Sequence, residues 1–163
     1  MPLTRRQLLA RLDELGIEAV TVEHEPVFTV EQSTELRETL PGAHTKTLFL
    51  DDRGGYLVLV SAKDDTKVNL KALSKRLSAG RFSFGKAELL AEVLGVTPGS
   101  VTPFALINDR ARRVTAVVDA ELLAFDEVNF HPLENTATTR VATRDLIRFI
   151  EACGHQPHVL RLD

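Results

Sequence analysis

Residues 46–60 read Lys46-Thr47-Leu48-Phe49-Leu50-Asp51-Asp52-Arg53-Gly54-Gly55-Tyr56-Leu57-Val58-Leu59-Val60. Two apolar runs, 46–50 and 56–60, flank Asp52-Arg53-Gly54-Gly55, the composition of a reversing turn between antiparallel strands. Around this hairpin the strand and helix signals are interleaved irregularly, without the strict alternation that a doubly wound parallel sheet requires. Upstream, Thr4 with Gln7 three residues on forms a capping box. Leu8, Leu12 and Leu15 then fall on one helical face, and Gly16 supplies the stop. Residues 19–23 read as a short strand. Thr29 with Gln32 opens a second helix that must end before Leu40-Pro41-Gly42. Downstream, Asn69 caps a helix carrying Leu70, Leu73 and Leu77, and another with Leu89, Leu90, Val93 and Leu94 ends at Gly95. Strands are expected at 104–107, 114–118 and 128–130. Thr143 starts a final helix with Leu146, Ile147 and Ile150 inward, closed by Gly154, and 158–162 reads as a last strand. The expected class is α/β of the α+β type: one domain over residues 1–163, a mixed, mostly antiparallel β-sheet surrounded by helices.

The composition fits that class. The chain has 163 residues, 44% of them apolar and 26% charged, which excludes disorder, collagen and coiled coil. A domain of this size buries roughly 70% of its unfolded surface without staples. Lys plus Arg number 20 and Asp plus Glu 23, a net charge of −3, so the chain does not coat nucleic acid by bulk charge. Two local basic clusters remain: Lys63, Lys67, Lys71, Lys75 and Arg76, then Arg110, Arg112 and Arg113. Cys153 is the only cysteine, so an intrachain disulfide is excluded and a reducing compartment is expected. The longest apolar run, 56–60, is far too short to span a bilayer, and the N-terminus lacks a signal-peptide core. A cytoplasmic location without membrane attachment is the expectation.

Several motifs fail on their chemistry. Gly80-Arg81-Phe82-Ser83-Phe84-Gly85-Lys86 matches most of a phosphate-binding loop, but Ala87 stands where a magnesium-binding hydroxyl is needed. His155 and His158 are three apart, yet Pro157 breaks the helix that would put them on one face, and no second cysteine completes a zinc set. No metal or other cofactor is expected.

Four stretches carry more. In Leu40-Pro41-Gly42-Ala43-His44-Thr45-Lys46-Thr47-Leu48-Phe49-Leu50, alternation puts Lys46 on the face of Leu48 and Leu50, an ammonium where an apolar neighbour belongs. Gly95-Val96-Thr97-Pro98-Gly99-Ser100-Val101-Thr102-Pro103 fixes an irregular backbone that can aim amide N–H groups at an oxyanion. Asn108-Asp109 closes the apolar run that follows. In Val128-Asn129-Phe130-His131-Pro132, His131 sits at an extended corner forced by the proline.

In this order, and together with His24-Glu25-Pro26-Val27-Phe28-Thr29, these stretches resemble the YbaK-type aminoacyl-tRNA deacylases, most of all the free-standing prolyl-tRNA editing proteins. The likeness runs from about Pro26 to Gly154. Many members carry Asn after the lysine, where this chain has Thr47. The resemblance implies hydrolysis of the ester joining a mischarged amino acid to the terminal adenosine of proline tRNA. Ala-tRNA(Pro) is the expected substrate, and Cys-, Ser- or Thr-charged tRNA or a non-catalytic tRNA-binding module are the alternatives. It further implies that Lys46 binds the terminal nucleotide or polarises the ester carbonyl, with backbone amides of Gly99, Ser100 and Val101 stabilising the oxyanion. Val27, Phe28, Val30, Thr47, Pro103, Asn108 and His131 would shape the substrate pocket. Its partners would be aminoacylated proline tRNA, at the basic clusters, and prolyl-tRNA synthetase.

Overall fold

The Asp-Arg-Gly-Gly segment turns the chain because Asp52 supplies the missing acceptors. Its Oδ1 accepts the N–H groups of Gly54 and Tyr56, and its Oδ2 accepts that of Gly80. The Gly80, Tyr56 and Gly54 bonds to the ionised carboxylate hold its pKa below the ordinary carboxylate value. Arg53 and Gly55 take positive φ, 62° and 96°. In the computed structural model, which describes residues 1–26 and 39–163, strands β2 (Thr45–Asp51) and β3 (Leu57–Lys63) therefore pair antiparallel, with Lys46 opposite Ala62 and Leu50 opposite Val58.

Helix α1 (Arg5–Glu14) begins at the expected capping box of Thr4 and Gln7. It leads into β1 (Ala19–Glu23). After β3 come α2 (Leu70–Arg76), capped by the Asn69 side chain on Ala72 N–H, β4 (Ser83–Phe84) and α3 (Ala87–Leu94). Gly95 closes α3 in the left-handed region, with φ 67°. Next are β5 (Val114–Asp119), β6 (Glu127–Phe130), β7 (Ala137–Ala142), α4 (Thr143–Ala152) and β8 (His158–Leu160).

The strands form two sheets rather than one. The larger has the order β4-β2-β3-β5-β8, with β3, β5 and β8 running parallel, and the smaller has the order β1-β7-β6, antiparallel throughout. Antiparallel pairs still dominate, as expected. A bridge between Ala43 and Val128 joins the sheets, with Ala43 N–H on Glu127 O and Asn129 N–H on Ala43 O.

Alternation splits the larger sheet between two cores. Phe49, Leu57, Leu59, Ala116 and Val118 pack with Leu8, Leu12, Leu90, Leu94, Phe104, Phe130 and the inner face of α4. Leu50, Val58, Val60, Ala62 and Val117 pack on the other face with Leu73 of α2, Phe82 and Leu162. Strand β3 is covered on both faces, which is why it reads as an unbroken apolar run.

The strand expected at 104–107 is a 3-10 helix, Pro103–Asn108. Pro103 has no N–H to give a ladder, and Thr102 caps the turn by accepting Phe104 N–H. Phe104 then packs edge-on against Phe130 and Phe149, at 6.2 and 5.4 Å between ring centroids. The final strand is shorter than expected. The helix expected after Thr29, with Val27, Phe28 and Val30, lies outside the described residues. Among the described residues no helix is long and apolar enough to cross a membrane.

Candidate functional site

Strand β6 ends at Phe130 and delivers His131 into the turn toward β7. The Ala137 carbonyl accepts from His131 Nδ1 at 2.9 Å, which fixes the tautomer and leaves Nε2 with its lone pair. Burial holds this imidazole below its ordinary pKa. The Ala137 bond opposes the shift, and the neighbouring His24 adds a little to it. The His24 ring lies 6.3 Å away from that of His131. Its Nδ1 is 2.8 Å from the Glu25 carbonyl, so Nδ1 donates and Nε2 accepts from Thr138 Oγ1, also at 2.8 Å. Two histidines are thus held in defined tautomers at one end of the smaller sheet.

The loop between α3 and the 3-10 helix reaches the same turn. Pro98–Ser100 forms a single 3-10 turn in which Ser100 N–H donates to Thr97 O. That amide is therefore taken, and Ser100 itself is buried. The amides of Gly99 and Val101 make no hydrogen bond among the described residues. Gly99 is exposed, and a Cβ there would stand 3.3 Å from Asn135 Nδ2, in the turn that follows His131. Phe104 against Phe130 ties the far side of the loop to β6. The Gly99 loop thus meets the turn that carries His131 at Asn135, and of the three backbone amides expected to act together, that of Ser100 is already bonded.

Lys46 is placed differently. Thr45 and Thr47 share a strand face with Phe49, and Thr45 Oγ1 donates to the Asn129 carbonyl of β6. Lys46 leaves β2 on the opposite face, with Leu48 and Leu50, as alternation predicts. Its Nζ donates to the Thr66 carbonyl, a neutral acceptor, and among the described residues no carboxylate lies within ion-pairing distance of it. Its charge still reaches Asp65, whose pKa is lowered chiefly by its bond to Lys63 and slightly by Lys46.

The remaining residues divide. Pro103 is buried as the first residue of its 3-10 helix. Asn108 is not gathered with the others. Its Oδ1 accepts Leu3 N–H and its Nδ2 donates to Leu94 O, so it clasps the N-terminus to the end of α3, beside a cleft of about 170 Å³ lined by Pro2, Gly95 and Arg110. Asp109 is structural too: it accepts Arg113 and Val114 N–H and bonds buried His155 at 2.9 Å. Burial pushes the Cys153 thiol up to about 12, far from a nucleophile's range. Among the described residues no three His, Cys, Asp or Glu side chains could share a metal ion. His24, Thr138 and Asn135 were not singled out by the sequence as site residues. The run 137–142, Ala-Thr-Thr-Arg-Val-Ala, carries no clean apolar alternation that would announce the strand beside them.

The two basic clusters sit apart. Helix α2 packs on the sheet face that carries Lys46. Arg110, Arg112 and Arg113 precede Val114, which pairs with Leu57, five residues along β3 from the Lys46 partner Ala62, or about 16 Å.

The profile of the aminoacyl-tRNA editing domain matches residues 24–149. A Danio rerio protein named prolyl-tRNA synthetase associated domain-containing protein 1 is 40% identical over 161 residues, spanning 98% of this chain and 88% of its own length. The prolyl-tRNA editing protein ProX of Acetoanaerobium sticklandii is 34% identical over 152 residues, 93% of each chain. A crystal structure of a candidate trans-editing enzyme for prolyl tRNA synthetase shares the fold, with a TM-score of 0.72 at 19% identity over 98% of both chains.

Proposed function

This chain belongs to the aminoacyl-tRNA editing domain family, among the prolyl-tRNA editing deacylases, and on that premise we propose that it hydrolyses Ala-tRNA(Pro) by direct attack of water. The observation that carries the reading is the pair of amides, Gly99 and Val101, that have no hydrogen-bond partner among the described residues, on a loop that touches the turn holding His131. An ester carbonyl placed over them gains donors for the negative charge of the tetrahedral intermediate, each worth roughly 3–4 kcal/mol when buried in the transition state. The bare Nε2 of His131 accepts a hydrogen bond from a hydroxyl of the terminal ribose, which in turn orients the attacking water. The ester is already activated, so the step needs no metal and no covalent nucleophile.

Of the two roles open to Lys46, contact with a phosphate of the terminal nucleotide has the better support. Its ammonium leaves β2 on the face opposite Thr45, with α2, and among the described residues it meets a neutral carbonyl there and no carboxylate within ion-pairing distance. Lys67, Lys71 and Lys75 extend positive charge along that face. The substrate comes from mischarging by prolyl-tRNA synthetase, in the cytoplasm where translation draws on it.

A panel of tRNAs charged with alanine, cysteine, serine, threonine and proline tests the reading. Selective loss of alanine from tRNA(Pro), with Pro-tRNA(Pro) spared, supports it. Faster hydrolysis of a Cys-, Ser- or Thr-charged tRNA moves the substrate assignment, and no hydrolysis of any ester overturns it in favour of a binding module.

A further inference from the structure

Asp119 ends β5 with a carboxylate that has no exposed surface. Such a group must be met by donors. Its Oδ2 accepts Lys63 N–H at 3.0 Å and Thr66 Oγ1 at 2.7 Å, and its Oδ1 accepts Glu121 N–H at 3.0 Å. The first two donors are the ends of the turn that follows β3, which is closed by Thr66 N–H on Lys63 O. The middle of that turn is held as well, by Asp64 N–H on the carbonyl of His44, two residues before Lys46. Thr66 is itself buried, and its carbonyl receives the Lys46 ammonium.

We propose that Asp119, through the Thr66 hydroxyl, is the positioning residue for Lys46. A lysine stem is flexible and its ammonium strongly hydrated. A rigid carbonyl at the right place selects one rotamer while leaving the charge whole for an anion, which a carboxylate partner would not do. The buried Asp119 keeps its own charge at one remove and fixes the turn that carries the carbonyl. The Glu121 carboxylate, 3.3 Å from Thr66 Oγ1, is the more distant acceptor, so the single hydroxyl proton goes to Asp119. The catalytic consequence of this device rests on the substrate-contact reading of Lys46; the device itself does not.

The test uses Thr66→Val, which keeps the backbone carbonyl and side-chain volume and deletes only the hydroxyl, with Thr66→Ser as the conservative rescue. The first readout is on the lysine: trace acetylation with acetic anhydride, scored by mass spectrometry as the rate at Lys46 relative to Lys71 and Lys75. Thr66→Val is expected to raise that ratio severalfold and Thr66→Ser to leave it at the wild-type value. An unchanged ratio in Thr66→Val overturns the proposal whatever the activity. The second readout is hydrolysis of Ala-tRNA(Pro). Thr66→Val is expected to raise KM or lower kcat in the wild-type background and to have no further effect on a Lys46→Ala chain. An equal loss in both backgrounds contradicts the proposal by marking a general structural defect. Full activity of Lys46→Ala alone removes the reading of Lys46 as a substrate contact, while the acetylation ratio still decides whether Asp119 and Thr66 position it.

Discussion

Burial sets the protonation of His131, and this has a consequence for stability. The folded ring holds its proton less readily than the unfolded one because it is desolvated, and the Nδ1 bond to the Ala137 carbonyl opposes that shift without cancelling it. The unfolded chain therefore binds more protons as pH falls. The stability contributed by the neutral ring is complete above the unfolded value of about 6.5 and declines as pH drops through it toward the lower folded value. Urea midpoints measured at about pH 7.5 and pH 5.5 should show wild type losing more stability on acidification than His131→Gln. Equal losses would place the titrating group elsewhere. The histidine was legible from its motif. Its tautomer was not, since that depends on a carbonyl six residues away on a strand the sequence did not announce.

At the scale of elements, local signals were readable where they stood next to their consequence. Thr4 and Gln7 cap α1, Asn69 caps α2, Gly95 closes α3, and Asp52 closes the hairpin, each within a few residues. Elements fixed by distant partners were not. Strand β7 needs β1 and β6 on its two edges, 118 residues apart from β1 at the Thr21–Thr139 pair. The run 104–107 is as apolar as a strand, and only Pro103 and the packing of Phe104 decide against one. The two-residue strand β4 has no sequence signature, but it leaves a test. A Cβ at Gly85 would fall 2.3 Å from the ring of Phe49, a core residue, and Gly85 N–H is bound to the Phe49 carbonyl. Gly85→Ala should destabilise by about 1–3 kcal/mol, read from urea denaturation, because a packed core cannot take the extra methyl without shifting. A change within about 0.5 kcal/mol would mean that the β4 edge yields freely.

For the whole molecule, the sheet separates what the sequence left equivalent. Both basic clusters read as phosphate contacts, yet only α2 lies on the face of Lys46, and the 110–113 cluster stands at the other end of the strands. Charge reversal at Lys67 and Lys71 should raise KM for charged tRNA and lower the salt dependence of binding by roughly one unit of slope per lost phosphate contact. The same reversal at Arg110 and Arg112 should leave both near wild type, and the opposite result would put the nucleic acid on the far end. That separation was invisible in the sequence because it follows from the parallel pairing of β3 with β5, across fifty intervening residues. The account depends most on Lys46 acting on the substrate. Single-turnover hydrolysis of Ala-tRNA(Pro) by wild type and by folded Lys46→Ala measures this directly. A charged hydrogen bond worth about 1.5–3 kcal/mol predicts a loss of roughly 10- to 150-fold. A variant that cleaves the ester at the wild-type rate would contradict it.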